Sequence, residues 1–180
     1  MIKVFIIAGV IVFIGAAVLG FLGFNGFFFT PVATEKIMGP YAYAYEDFTG
    51  AYSKTFPVFE KVYKTLRNGG IENEVGIGLY HDDPASVPEE KLRSSCGSII
   101  IESDLEKALS LGLKTGKIEK KLSVVVEFPV NTNFAYMFAP SKCYPVLAKY
   151  LKEKEYKMSA PFEIYDMINK KVFVVMEIIK

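Results

Sequence analysis

Tryptophan is missing from this 180-residue chain, histidine occurs once, at His81, and cysteine twice, at Cys96 and Cys143. With a single histidine, any Ser-His-Asp or Cys-His relay has to run through His81, and no second feature of the sequence points there. The cysteines lie far apart, with no further Cys or His at ligand spacing. No zinc site and no haem-attachment motif can be written, and neither metal nor cofactor is expected. An excess of charge of one sign is also lacking. Lys and Arg number 21 against 20 Asp and Glu, a net +1. That leaves no basic field to track a phosphate backbone, so nucleic acid is not an expected partner.

What the chain does have is a long apolar opening and many aromatic rings. Residues 4–24 are all apolar or small. A helix of that length spans about 30 Å, enough for the hydrocarbon core of a bilayer. A cleaved signal peptide has a shorter apolar run, so an uncleaved single-pass anchor is the preferred reading. Lys3 on one side, against Glu35 and Lys36 cancelling on the other, places the N-terminus in the cytoplasm by the positive-inside rule and the remaining chain outside it. Phe (15) and Tyr (11) dominate the aromatics. Tyrosine combines a flat apolar body with a polar tip and serves a pocket lining as well as a core.

The rest reads as an α+β domain. An imperfectly alternating, Tyr-rich stretch, residues 37–48 and ended by Thr49-Gly50, predicts a strand. Tyr52, Phe56, Phe59, Val62, Tyr63 and Leu66 then recur at helical spacing, with Pro57 in the first turn and Asn68-Gly69-Gly70 as the stop. Strands follow over 74–80 and 96–102, separated by a polar turn. After a helix-prone connector (104–112) and a turn at Thr115-Gly116, the order repeats: strand 122–128, helix 141–155, strands 162–168 and 172–179. Residues 131–138 read as a bent strand. The implied division is anchor and flank 1–30, connector 31–36, and domain 37–180 with halves 37–103 and 118–180. Such a duplicated β-α-β-β pattern makes an antiparallel sheet with helices on one face and a central groove.

Two carboxylates stand out. Glu163 and Tyr165 share one strand face by two-residue alternation, and Glu177 interrupts the apolar run 172–179. A buried carboxylate must be hydrogen-bonded, protonated or paired with a cation, which makes it a pocket marker. Glu177 reads equally well as an edge-strand charge facing water or paired with Lys180. An odd number of loop residues around 169–171 would set the two opposite each other, an even number on opposite faces. Tyr165, Tyr80 and Phe128 fit ordinary core packing as well as a pocket. Asp82-Asp83-Pro84 reads as turn chemistry, because adjacent aspartates point apart and lack the other oxygen ligands of a calcium loop.

The stretch Gly78-Leu79-Tyr80-His81-Asp82-Asp83-Pro84, with Val87-Pro88-Glu89-Glu90-Lys91-Leu92-Arg93, Cys96-Gly97 and Pro161-Phe162-Glu163-Ile164-Tyr165, resembles the GyrI-like small-molecule-binding domain of the SOUL/GyrI superfamily. The resemblance covers residues 37–180. With the apolar helix it looks most like the testis-expressed, endoplasmic-reticulum-anchored autophagy-receptor type, whose domain faces the cytosol, opposite to the side that Lys3 gives. That receptor role depends on a disordered tail, and the sequence stops at Lys180, so the role is not expected to carry over. Tyr165-Asp166-Met167-Ile168 has an aromatic-x-x-aliphatic spelling but falls in an expected paired strand, and reads as core. The resemblance implies a tyrosine-lined pocket in which Glu163 and Glu177 match the acidic positions of cationic-drug binders, with Tyr165, Tyr80, Phe128 and Tyr45 as its lining. The expectation is a membrane-anchored binder of a hydrophobic or cationic small molecule. One alternative is a tethered scaffold for an unidentified protein partner. The other is a hydrolase of strained cyclopropane-containing toxins, with Glu163 as general base and Tyr165 or Tyr80 as donor, against which the absent Trp counts.

Overall fold

The computed structural model describes residues 2–157 and 159–179, with side chains described from residue 5 onwards. Lys3 and Lys180, which entered the readings of orientation and of Glu177, therefore fall outside the described side chains. The first element is helix α1 (Ile2–Phe24). It is apolar on every side, so no stripe of it calls for a protein partner, and it projects with its side chains exposed. By length and composition it is able to cross a membrane, a test that an N-terminal signal sequence also passes. Gly26 ends the helix in the left-handed region at φ +84°. Phe27 N–H bonds the Leu22 carbonyl (3.0 Å) and Gly26 N–H the Gly23 carbonyl (3.1 Å), a Schellman cap. A Cβ at Gly26 would lie 2.6 Å from the Phe128 ring, so the cap also needs glycine for space.

Eight strands follow: β1 (Ala33–Met38), β2 (Tyr41–Thr49), β3 (Val75–Tyr80), β4 (Arg93–Ile100), β5 (Lys114–Ile118), β6 (Lys121–Pro129), β7 (Phe162–Asp166) and β8 (Lys171–Glu177). Helices α2 (Phe56–Asn68), α3 (Leu105–Ser110) and α4 (Ala139–Glu153) lie between them. The strands form one antiparallel sheet in the order β1-β6-β8-β7-β3-β4-β2-β5. The two β-α-β-β halves, β2-α2-β3-β4 and β6-α4-β7-β8, meet where β3 pairs β7, and β1 and β5 extend the two edges. β1 and β2 stand six strand steps apart in this order, about 29 Å in a flat sheet at roughly 4.8 Å per step. Only Gly39-Pro40 joins them, a reach of about 10 Å, so the sheet has to curl.

The curl gives the sheet an outer face that carries the helices and an inner face of its own. On the outer face α4 buries Cys143, Leu147 and Leu151 on Val124, Val126 and Phe128 of β6 and Val172, Val174 and Met176 of β8. Val62 and Leu66 of α2 pack with Ala44, Ile100, Ala108 and Leu113. Tyr43, Ile77, Val125, Phe162, Ile164 and Val175 fill the inner face.

Four local expectations change. The strand expected over 37–48 is two strands far apart in the sheet, β1 at one edge and β2 next to the other, because Gly39-Pro40 breaks the chain, and residues 33–36 of the expected connector already belong to β1. Thr115-Gly116 is not a turn but lies inside β5, an edge strand whose polarity reflects a single paired neighbour. Residues 131–138 form a short 3-10 helix (Asn133–Met137) in place of a bent strand; Thr132 caps it by accepting from Phe134 N–H. Strand β7 ends at Asp166, so Met167 and Ile168 are exposed in the β7–β8 turn and are not core.

Candidate ligand-binding site

Strand alternation carries Glu163 and Tyr165 of β7 to the outer face, in the gap between α2 and α4. Opposite them in the sheet stand Gly78 and Gly76 of β3. Neither glycine has a side chain to fill the gap. A Cβ at Gly78 would meet the Phe59 ring and the Tyr80 hydroxyl, each at 3.1 Å.

Glu163 is only 5% exposed. Tyr144 of α4 donates to its Oε1 and Tyr165 to its Oε2, both at 2.7 Å. Since the Tyr165 hydrogen goes to the carboxylate, the Tyr80 hydroxyl, 2.6 Å away, donates to Tyr165. The result is a relay, Tyr80 to Tyr165 to Glu163, met from the other side by Tyr144. Rings close the space above it: Phe59 of α2 and Tyr136 of the 3-10 helix pack against Tyr165 at 5.2 and 5.8 Å, and Tyr52 against Tyr80 at 4.8 Å.

Burial raises the proton affinity of Glu163, and the two tyrosine hydrogen bonds oppose that shift without cancelling it. Tyr165, Tyr80 and Tyr144 are all pushed up, by burial first and by the charge of Glu163 second, so they remain donors at any physiological pH. Burial, helped by Glu163, moves the Cys143 thiol up to about 12, which leaves it inert as a nucleophile. A carboxylate in such a place is held by neutral donors alone, and a cation is the one class of partner that would also match its charge.

The other expected lining residues are elsewhere. Glu177 aligns with Ser123 and pairs with Lys121 at 2.9 Å. The β7–β8 turn holds four residues, 167–170, and Glu163 aligns with Val174, so Glu163 and Glu177 face opposite sides of the sheet. Phe128 is fully buried under α4 and the Gly26 turn. Tyr45 lies on the inner face beside Tyr43, ring centroids 5.4 Å apart. A cavity of about 320 Å³ opens on that inner face, lined by Met38, Tyr41, Val75, Ile99, Ile164, Asp166 and Phe173, and it does not include Glu163. Sequence reasoning missed Tyr144 and Tyr136. Tyr144 had a signal, since Tyr144, Leu147 and Leu151 follow i, i+3, i+7 spacing on α4.

Turn chemistry accounts for the Asp82-Asp83-Pro84 motif. Asp83 accepts from Ala85 N–H and Ser86 Oγ, both at 2.9 Å. Asp82 accepts from the backbone and the guanidinium of Arg93, which hold its carboxyl down at about 2. His81 lies 2.9 Å from Ser95, whose hydroxyl donates to Asp47. In that order the serine bridges the other two, whereas a triad needs the imidazole in the middle. Among the described residues no group of three or more His, Cys, Asp or Glu is placed to hold a metal ion.

No protein-family profile matches the sequence. The mouse testis-expressed protein 264 homolog is 29% identical over 133 residues, 68% of this chain and 40% of that relative, so the chain spans less than half of the relative's length. Among solved structures, the EcmrR C-terminal domain superposes with TM-score 0.61 at 13% identity, covering 83% of this chain and 98% of that one. A hydrolase from Listeria innocua gives TM-score 0.52 at 10% identity, over 88% and 98% of the two chains. SAV2435 bound to tetraphenylphosphonium gives 0.51 at 10% identity, over 82% and 93%. At these identities the likeness is one of fold: a GyrI-like, mixed α+β domain with an eight-stranded antiparallel sheet.

Proposed function

We propose that this protein is a membrane-anchored receptor for a hydrophobic, cationic small molecule, with Glu163 as the counter-ion and Tyr165, Tyr80 and Tyr144 as its hydrogen-bonding shell. The observation that carries the reading is a buried carboxylate placed among aromatic rings in the gap between the two helices. A lipophilic cation would replace the tyrosine roof with its own rings and present its charge to Glu163, with cation–π support from the surrounding faces. The neighbour solved with tetraphenylphosphonium shares the fold and lends weight to this class of ligand. Helix α1 supports the membrane tether.

Calorimetric titration of tetraphenylphosphonium into the full chain in detergent micelles tests the reading. Removing the charge from a desolvated pair takes away about 2 kcal/mol or more, so Glu163→Gln should weaken binding about 30-fold or more. Equal affinity of the two proteins would end the counter-ion role. The hydrolase reading makes a different demand: Glu163→Gln would abolish turnover while leaving substrate binding intact.

A further inference from the structure

Helix α1 does not hang from the domain on a linker. Asn131 Nδ2 donates to the Phe24 carbonyl at 2.5 Å, Thr132 Oγ1 donates to Asn25 Oδ1, and Asn25 is fully buried. Rings continue the junction: Phe21 lies 5.3 Å from Phe134 and Phe27 lies 5.4 Å from Phe138. Phe21 sits three residues inside the helix end, about 4.5 Å along the axis, so the 3-10 helix that carries Phe134 reaches back alongside α1. The Tyr136 hydroxyl donates to Met167 Sδ at 3.1 Å and joins this segment to the β7–β8 turn. Around the root of α1 the domain therefore shows a set of exposed apolar side chains: Phe28 at 60% exposure, Met137 at 68%, Met167 at 54% and Ile168 at 68%.

We infer that this face, made of residues 25–29, the Asn133–Met137 helix and the β7–β8 turn, lies in the interfacial layer of a lipid bilayer as a continuation of α1. The inference rests on reading α1 as a membrane span. Given that reading, depth decides the matter, because a ring packed against Phe21 cannot be in bulk water while Phe21 is in lipid. Aromatic and sulfur side chains suit the interfacial layer, and Lys142, whose ammonium lies 5.7 Å from the Phe27 ring, is placed to snorkel towards headgroups. Tyr136, on the same segment, covers Tyr165 and so links the lipid-facing side to the roof of the Glu163 cluster.

The absence of native tryptophan makes the test direct. Met137→Trp, Ile168→Trp, Val12→Trp and Phe56→Trp are made singly in the full chain and reconstituted into phosphatidylcholine vesicles with brominated acyl chains. Val12 is midway along α1. Phe56, 67% exposed, starts α2 at the end of the sheet away from the β7–β8 turn. Bromines near the headgroup end should quench the tryptophans at 137 and 168 by roughly half, leave that at 56 bright, and act less on position 12 than bromines near the chain end. Quenching at 12 with positions 137 and 168 as bright as 56 overturns the lipid seating and leaves the span standing. No quenching at 12 overturns the span and the seating together.

Discussion

The two β-α-β-β halves share a topology and divide the labour at their seam. Counting outward from the central Ile77–Ile164 pair of the β3–β7 ladder, Gly76 and Gly78 in the first half take the places of Glu163 and Tyr165 in the second. One half supplies empty space and the outer donor of the relay, Tyr80, and the other supplies the carboxylate and both hydroxyls that bond it directly. Helix α4 adds Tyr144 from the same side as the charge, while α2 adds only the apolar ring of Phe59. The duplication thus gives a symmetric scaffold whose centre is chemically one-sided, and a single charge can be buried there without a like charge facing it.

The largest effects should come from the scaffold the halves share. Leu66→Ala in α2 and Leu147→Ala in α4, both essentially unexposed, should each cost about 2–5 kcal/mol in urea unfolding followed by near-ultraviolet circular dichroism. Both should shift one common transition; two separable transitions would mean that the halves fold independently. Next comes the empty space. Gly78→Ala pushes a methyl group against Phe59 and Tyr80 and should cost about 1–3 kcal/mol and weaken tetraphenylphosphonium binding. An unchanged affinity would show that β3 is not the floor of the site.

The charge itself gives a smaller effect with a definite sign. Burial makes folded Glu163 hold its proton more tightly than the unfolded chain does. Its contribution to stability is complete below the ordinary value of 4.5 and is lost as pH rises through the raised folded value. Glu163→Gln should remove that slope and melt higher than the parent at pH 8, by a few degrees if about 1 kcal/mol is involved. A parent more stable than the variant at pH 8 would contradict the burial argument. Asp82 is the opposite case and the smallest. Arg93 lowers its proton affinity, so its contribution is present above about 3.8 and is lost as pH falls towards 2. Asp82→Asn should flatten only that acid limb.

Much of this architecture was legible because the signals were periodic. The apolar face of α2, the β7–β8 hairpin and the Glu163–Tyr165 alternation all follow from spacing. The failures have physical causes. Phe134, Tyr136 and Phe138 alternate at period two and imitate a strand, but Phe134 and Phe138 pack on the junction with α1 and Tyr136 on Tyr165, which no local pattern encodes. The run 37–48 alternates imperfectly and reads as one strand on its tyrosines, although Gly39-Pro40 is itself a turn signal, and the structure breaks there. Tyr144 and Tyr136 reach Tyr165 and Glu163 only through tertiary packing of α4 and the 3-10 helix, and Glu177 separated from Glu163 because the turn length set the register.

The most direct measurement is a carboxyl carbon-13 NMR titration of Glu163, assigned by its loss in Glu163→Gln, with and without tetraphenylphosphonium. The expected result is a midpoint above the ordinary glutamate range that moves down when the cation binds, since binding to the charged form releases the proton. A midpoint near 4.5 that ignores the cation would contradict the counter-ion role.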